Sequence, residues 1–294
     1  MSVFVQQSGS VCDFPGSDAW VVLSPIEQSI KRKIEAVGTP LKDWDINIYR
    51  GVLTGCNEAF IISTEKRNEI LANCQTEDER TRTAELIRPI LRGRDIKRYG
   101  YDWAGLYLIN THNGIKGKLE RIHIEDYPAV KAHLDQYWDK ISSRADKGDT
   151  PYNLRNCAYL EDFDKPKIVY PNMTKYLPFV YEDYGFCTNQ KCFIISGQTI
   201  EYLTAFFNSS LFKYCFRDSF PELQGGTREM SKIFFENISV AQVTGEINAQ
   251  FKNAVNDIQT DYSKSKAMAI DAMIFNLYNL SNTERQVIGF FEIE

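Results

Sequence analysis

The 294-residue sequence is poor in the residues from which catalytic and metal sites are usually built. It has only three histidines, His112, His123 and His133, and its seven cysteines include no Cys-x-x-Cys pair. Cys187 and Cys192 are not at a zinc-knuckle spacing, so structural thiols in a reducing compartment are expected rather than a metal centre. No two of the ten prolines are adjacent, which excludes the Asn/Asp-Pro-Pro-Tyr/Phe loop of amino-methyltransferases. No Gly-x-Gly follows an N-terminal strand, and GxxxxGK[ST], HExxH and GxSxG are all absent. Asp95-Ile96-Lys97 matches the tail of a Pro-Asp…(Asp/Glu)-x-Lys nuclease motif, but no Pro-Asp lies upstream to supply the second carboxylate for a metal. Long apolar runs are missing too. The longest, Ala19 to Leu23, is far too short to span a bilayer, and residues 1–12 lack the basic and apolar regions of a secretory signal. A cytoplasmic chain with no membrane role is therefore expected.

What is present is ordinary globular composition: 43% hydrophobic and 25% charged residues, enough to bury a real core. The net charge is −5, yet it is unevenly spread. Residues 88–170 carry 15 basic against 12 acidic side chains and form the one net-positive stretch, whereas residues 236–294 carry 4 against 8. Within the positive stretch, Arg88, Arg92, Arg94, Lys97 and Arg98 face a single acid, Asp95. Such a cluster is either a solvated face or an anion-binding surface.

Local patterns predict an α+β fold of mixed strands and short helices with a helical C-terminal region. Ser24-Pro25-Ile26-Glu27 is a helix start, with Ile26, Ile30 and Ile34 on one face and Gly38 and Pro40 beyond its end. Strands are expected at Asp45–Tyr49, Ala59–Ile62, Leu106–Asn110, Lys167–Tyr170, Phe179–Tyr181 and Cys192–Ile195. Thr64 and Thr76 are expected to cap two short helices, the second closed by Pro89, and Ile124–Ile141 to form a helix with Val130, Leu134, Trp138 and Ile141 on one side. Ser142–Asn156 is expected as polar loop, Ile200–Phe207 as a short buried helix and residues 245–280 as helical. No βαβ rhythm runs through the chain, so a doubly wound parallel sheet is not expected. The expected division is residues 1–39 as an N-terminal segment and linker helix, 40–240 as a recognition domain and 241–294 as a helical end region.

Several segments resemble a known family. They are Trp44-Asp45-Ile46-Asn47-Ile48-Tyr49-Arg50-Gly51-Val52-Leu53-Thr54-Gly55 with Asn57-Glu58-Ala59-Phe60-Ile61-Ile62; Pro89-Ile90-Leu91-Arg92-Gly93-Arg94-Asp95-Ile96-Lys97-Arg98-Tyr99; Asn110-Thr111-His112-Asn113-Gly114 with Asp126–Leu134; and Lys147–Tyr159, followed by Lys167–Tyr170 and Asn208-Ser209-Ser210. In collinear order over residues 20–240, they resemble the TaqI-type C-terminal specificity region of type IIG restriction-modification enzymes and related adenine-specific DNA methyltransferases. Cys56 and the segment Pro171–Gly226 depart most from that pattern.

The resemblance implies a target-recognition domain for double-stranded DNA with no catalytic site of its own. It would work with a methyltransferase domain or subunit, in which S-adenosylmethionine, and magnesium for cleavage, are expected. The acidic stretch after 236 would pack on a neighbouring domain. Candidate phosphate contacts are Arg92, Arg94, Lys97, Arg98 and Lys147, because guanidinium and ammonium groups neutralise the DNA backbone. Candidate base readers are Arg50, Thr54, Asn57, Asn153, Arg155, Asn189, Gln190, Lys191 and Arg228, since arginine pairs with guanine and asparagine with adenine at base edges. Each has a structural alternative, such as a turn, a cap or an internal ion pair. Two other functions compete: a protein-interaction module that touches no bases, and a nuclease using Asp95 and Lys97.

Overall fold

The computed structural model describes residues 23–292. The expectations placed on residues 1–22, Cys12 and most of the Ala19–Leu23 run among them, lie outside the described residues.

A central antiparallel sheet is ordered Val180–Glu182, Lys167–Pro171, Cys192–Gly197 and Ile46–Arg50. Successive side chains of a strand point to opposite faces, and here both faces are used. Ile48, Ile168, Tyr170 and Ile195 enter one core, while Val169, Val180 and Ile194 enter a second. Every residue of Lys167–Pro171 is buried, as a strand between two covered faces requires.

On the first face lie the helices Pro25–Val37, Ile200–Asn208, Gly245–Thr260 and Lys264–Leu277. Ile200–Asn208 is buried along its whole length. The second face packs against another four-stranded sheet, ordered Cys187–Thr188, Ile87–Leu91, Leu106–Ile109 and Ile61–Ser63, with helices such as Thr64–Ala72 and Pro128–Asp135 beyond it. Among the described strands only Cys187–Thr188 and Ile87–Leu91 pair in parallel. The fold is α+β.

The first core runs from Ile30 to Ile288 and so includes residues on both sides of positions 40 and 240. Phe251, Val255, Ile258, Ile270 and Ile274 place the apolar faces of the acidic C-terminal helices on this chain's own sheet. The expectation that this stretch packs on a neighbour is thereby corrected. Among the described residues no helix is long and apolar enough to cross a membrane. The six described cysteines are free thiols, and burial pushes Cys157 and Cys187 up to about 11.

Most expected elements are present, including the helix start, where Ser24 and Glu27 form a reciprocal capping box. Four differ, each for a local reason. Asn57–Phe60 is one helical turn, leaving only Ile61–Ser63 extended. The chain crosses between sheets here, and the turn lets the consecutive residues Ala59 and Phe60 enter the same core, whereas neighbours on a strand point to opposite faces. Ser63, not Thr64, caps the next helix, and Thr64 Oγ1 donates to Gly105 O at 2.9 Å.

Pro89 sits inside the strand Ile87–Leu91 instead of closing a helix. Leu86 O accepts from Asn110 N, so by alternation the Pro89 nitrogen faces the other side. There, Cys187–Thr188 pairs only with Ile90 and Leu91 and needs no donor from residue 89. The segment 124–141 is divided into Ile124–Asp126, Pro128–Asp135 and Trp138–Ser143. Proline at 128 cannot continue a helix, and a break at Gln136–Tyr137 turns Ile141 inward while leaving Trp138 exposed.

Candidate nucleic-acid interface

A cleft of about 1220 Å³ opens between the Arg92–Tyr101 turns, the Met173–Pro178 segment and the helix end at Ile258–Tyr262. Five cations line it, Arg92, Arg94, Lys97, Arg98 and Lys191, against two carboxylates, Glu58 and Asp102. Asn57 and Asn189 are also on its walls, so seven of the residues singled out in the sequence meet at one place.

They do not stand there in the same way. Arg94 and Lys191 are exposed, and neither has an ion-pair partner among the described residues. Lys97 is exposed and 3.6 Å from Asp102. Arg92 is locked: its backbone N–H donates to Asp95 Oδ2 at 2.8 Å, and Nη2 and Nε bond the same carboxylate at 2.7 and 3.1 Å. That fork raises the Arg92 guanidinium above its ordinary range. It also occupies Asp95, the acid of the Asp-x-Lys triplet. Among the described residues no three His, Cys, Asp or Glu side chains are grouped to hold a metal ion.

Arg98 is a correction. It is buried and donates to Asn208 O at 2.7 Å and Phe291 O at 2.9 Å, so it only borders the cleft floor, with its guanidinium held by backbone carbonyls and not free as a phosphate clamp. Arg228 is likewise inside, bonded to Phe220 O at 2.9 Å and paired with Asp218 and Glu222.

The base-reading candidates divide similarly. Thr54 is buried and donates to Asn57 Oδ1 at 2.6 Å, orienting the exposed Asn57. Asn153 is buried, donating to Ile122 O at 2.8 Å and accepting from Thr150 Oγ1 at 2.6 Å, so it braces its loop. Asn189 is buried, with its Oδ1 accepting from Lys191 N at 3.1 Å to close a turn that presents Gln190 and Lys191. These three side chains, like Arg98 and Arg228, are spent on the fold, because a buried polar group left unbonded costs free energy.

Arg50 is exposed and donates through Nε to Gln190 O at 3.0 Å, while Tyr159 Oη donates to Arg50 O at 2.9 Å. Gly51 lies so close to the 188–192 turn that a Cβ would stand 2.0 Å from Asn189 O. The Arg50 and Asn189–Lys191 segments are therefore one surface. Arg155 and Lys147 are exposed on a neighbouring loop, paired with Asp146 at 2.9 Å and bonded to Ser142 O at 2.6 Å respectively.

Sequence reasoning missed the residue that holds these loops together. Arg144 is buried, stacks 4.3 Å from the Phe60 ring centre, and donates to Thr54 O, Pro151 O and Asn153 O. Burial lowers its pKa to about 10. Nothing in the polar stretch 142–156 marks it. Also missed were Met173, Tyr176 and Tyr262, exposed apolar groups at the cleft that come from distant segments.

Fold and cleft together describe an α+β binding domain with a cation-lined groove. The family described as the TaqI-like C-terminal specificity domain matches residues 88–240, just over half of the sequence, and the chain belongs to that family. It is 24% identical over 154 residues to the type II methyltransferase M.BanIII of Aneurinibacillus aneurinilyticus, covering 49% of this chain and 24% of that protein. It is 20% identical over 282 residues to the type II methyltransferase M.PaeR7I of Pseudomonas aeruginosa, covering 93% of this chain and 45% of that one. The chain thus spans less than half the length of either relative. Its fold is similar to that of the type IIL restriction-modification enzyme MmeI, solved in complex with DNA, with a TM-score of 0.57 at 11% identity, over 86% of this chain and 36% of that one.

Proposed function

We propose that this chain recognises duplex DNA for a restriction-modification methyltransferase, supplying the address and leaving the chemistry to a catalytic part. The observation that carries this reading is the cleft in which Arg94, Lys97 and Lys191 stand exposed beside Asn57 and the Arg50–Gln190 surface. Exposed cations of this kind neutralise phosphates and set register, and in this reading the neighbouring amides and Arg50 contact base edges. Family membership and the methyltransferase relatives support the assignment to restriction-modification.

Adenine methylation at N6, and cleavage where it occurs, belong to the catalytic part, together with S-adenosylmethionine and magnesium. The described residues do not fit the metal, since Asp95 is committed to Arg92 and no acidic group of three converges. In such a division of labour the target adenine is flipped toward the catalytic pocket while this domain grips the duplex.

The test is binding of the chain to a labelled random-sequence duplex pool across a salt titration, beside the Arg94→Ala/Lys97→Ala/Lys191→Ala variant. Each lost phosphate contact reduces the slope of log affinity against log salt by about 0.9. The triple variant is expected to lose about 2 to 3 units of slope, and selection from the pool should yield one enriched sequence. Wild-type binding that is insensitive to salt, or a triple variant that binds like wild type, overturns the reading and leaves a protein-interaction module, which the net charge of −5 would suit.

A further inference from the structure

Beyond the cleft, two smaller grooves also carry more cations than carboxylates, and one of them adjoins both the cleft and the other. The second, of about 370 Å³, lies between Arg50 and Arg155 and has no acidic residue in its walls. The third, of about 860 Å³, lies beside the loop that follows Asn113 and holds Lys116, Lys118 and Arg121 against Glu120 and Asp149. The second and third grooves share Asn156 and Cys157. The second meets the cleft where Arg50 Nε reaches Gln190 O at 3.0 Å and Gly51 abuts Asn189. A further groove beside Glu69 and His133 holds no lysine or arginine and shares no residue with these three. In a chain of net charge −5, a continuous track of positive grooves is a selective arrangement of charge.

Resting on the DNA reading above, we propose that the duplex runs out of the cleft along this track and that its backbone reaches Lys116, at the tip of a small hairpin outside every segment so far assigned to DNA. The hairpin is built to hold its place. Ile115 and Leu119 exchange backbone hydrogen bonds at 2.8 and 2.9 Å. Gly114 has φ +73°, and a Cβ there would stand 2.4 Å from Leu119 O, so the tight reversal requires glycine. The Asn113 side chain accepts from Asp149 N at 2.8 Å and donates to Asp149 Oδ1 at 3.0 Å, fastening the hairpin base to the loop that carries Lys147 and Arg155.

Lys118 is paired with Glu161, and Arg121 with Asp149 at 3.3 Å. Lys116 is exposed and has no ion-pair partner among the described residues, so it is the cation at the tip left for an outside anion. A lysine on a fixed hairpin gives up little freedom on binding beyond its own rotamers. The contact is with phosphate, so it lengthens the footprint without changing the sequence read.

The test uses Lys116→Ala and Lys116→Glu in the full chain, with short and long random-sequence duplexes and the Arg94→Ala/Lys97→Ala variant as comparator. On long duplexes Lys116→Ala is expected to weaken binding several-fold and to reduce the salt slope by about 0.9. Lys116→Glu should weaken it further, nuclease protection should shorten at one end, and affinity for short duplexes and the enriched sequence should stay as in wild type. If Lys116→Glu binds long duplexes like wild type while the cleft variant loses binding, the extended track is wrong and the cleft reading stands. If the wild type binds no duplex at low salt, both fall together.

Discussion

Two arginines two positions apart are assigned opposite jobs, and that assignment can be broken experimentally. Asp95 is 3% exposed and accepts three donors from Arg92: the backbone N–H at 2.8 Å, Nη2 at 2.7 Å and Nε at 3.1 Å. Its own N–H returns a bond to Arg92 O at 2.9 Å, and its carbonyl accepts from Asp102 N at 2.8 Å. The carboxylate is thus the closure of the turn that displays Arg94 and Lys97. Asp95→Asn keeps the shape but removes the charge and sets an NH₂ group against a guanidinium, which can only donate. Hydrogen bonds to charged groups contribute about 1.5–3 kcal/mol each, and because these three share one acceptor the expected loss is about 3 kcal/mol in all. Arg94→Ala removes an exposed side chain with no described partner, so its stability cost should stay within about 0.5 kcal/mol, while the salt slope of DNA binding falls by about 0.9. Urea unfolding followed by tryptophan fluorescence gives the first quantity, and duplex titration gives the second. The reasoning is refuted if Asp95→Asn unfolds at the wild-type midpoint, or if Arg94→Ala destabilises as much as Asp95→Asn does.

Arg144→Met fills the space without donors and leaves Thr54 O, Pro151 O and Asn153 O unpaired; a loss of about 3–5 kcal/mol is expected, with hydrogen exchange accelerating first in residues 50–57 and 144–156. Gly51→Ala drives a Cβ to 2.0 Å from a backbone carbonyl and should cost about 2 kcal/mol or more and displace the 188–192 turn, read by unfolding and by lost DNA affinity. At Glu284, burial alone would raise the pKa, but bonds from Lys33, the Ser281 N–H and Ser29 hold it down to about 2 from 4.5. A depressed carboxylate stabilises the fold above its unfolded pKa, so Glu284→Gln should be about 2–3 kcal/mol less stable than wild type at neutral pH. That difference should shrink as pH falls from 4.5 toward 2, and unfolding of both proteins across this range checks the sign.

The parts of this molecule that were legible in its sequence are those fixed within a few residues. The Ser24–Glu27 capping box and the buried helix at Ile200 to Phe207 follow from nearest-neighbour chemistry and periodicity. The α+β class follows from the mixture of such segments. What local pattern does not contain is the partner of a side chain across the fold. Arg94 and Arg98 belong to one basic cluster, yet the positive φ of Tyr99 (57°) and carbonyls 110 and 193 residues away bury one and leave the other exposed. Pro89 read as a helix stop because the edge strand that makes it harmless comes about a hundred residues later.

There is also a chemical reason why arginine is hard to place from sequence. A guanidinium is a planar fork of donors that suits a phosphate, a carboxylate or a pair of backbone carbonyls. Arginines proposed to meet phosphate and arginines that hold the turns presenting them therefore look alike in a sequence. Of the candidates for DNA contact, Arg92, Arg98 and Arg228 are held by internal acceptors and Arg50, Arg94 and Arg155 are exposed, whereas Lys97, Lys147 and Lys191 are all exposed. Lysine is buried in this fold only where specific acceptors enclose it: Lys167 against Glu182 and Phe163 O, and Lys213 against Leu177 O and Phe207 O. In the second case burial lowers the ammonium's pKa well below its ordinary value. For the proposed DNA face, an exposed lysine is accordingly a more consistent marker than an arginine of a basic cluster, and Lys116 and Lys191 are two positions that line a cation-rich groove, stand exposed and have no ion-pair partner among the described residues.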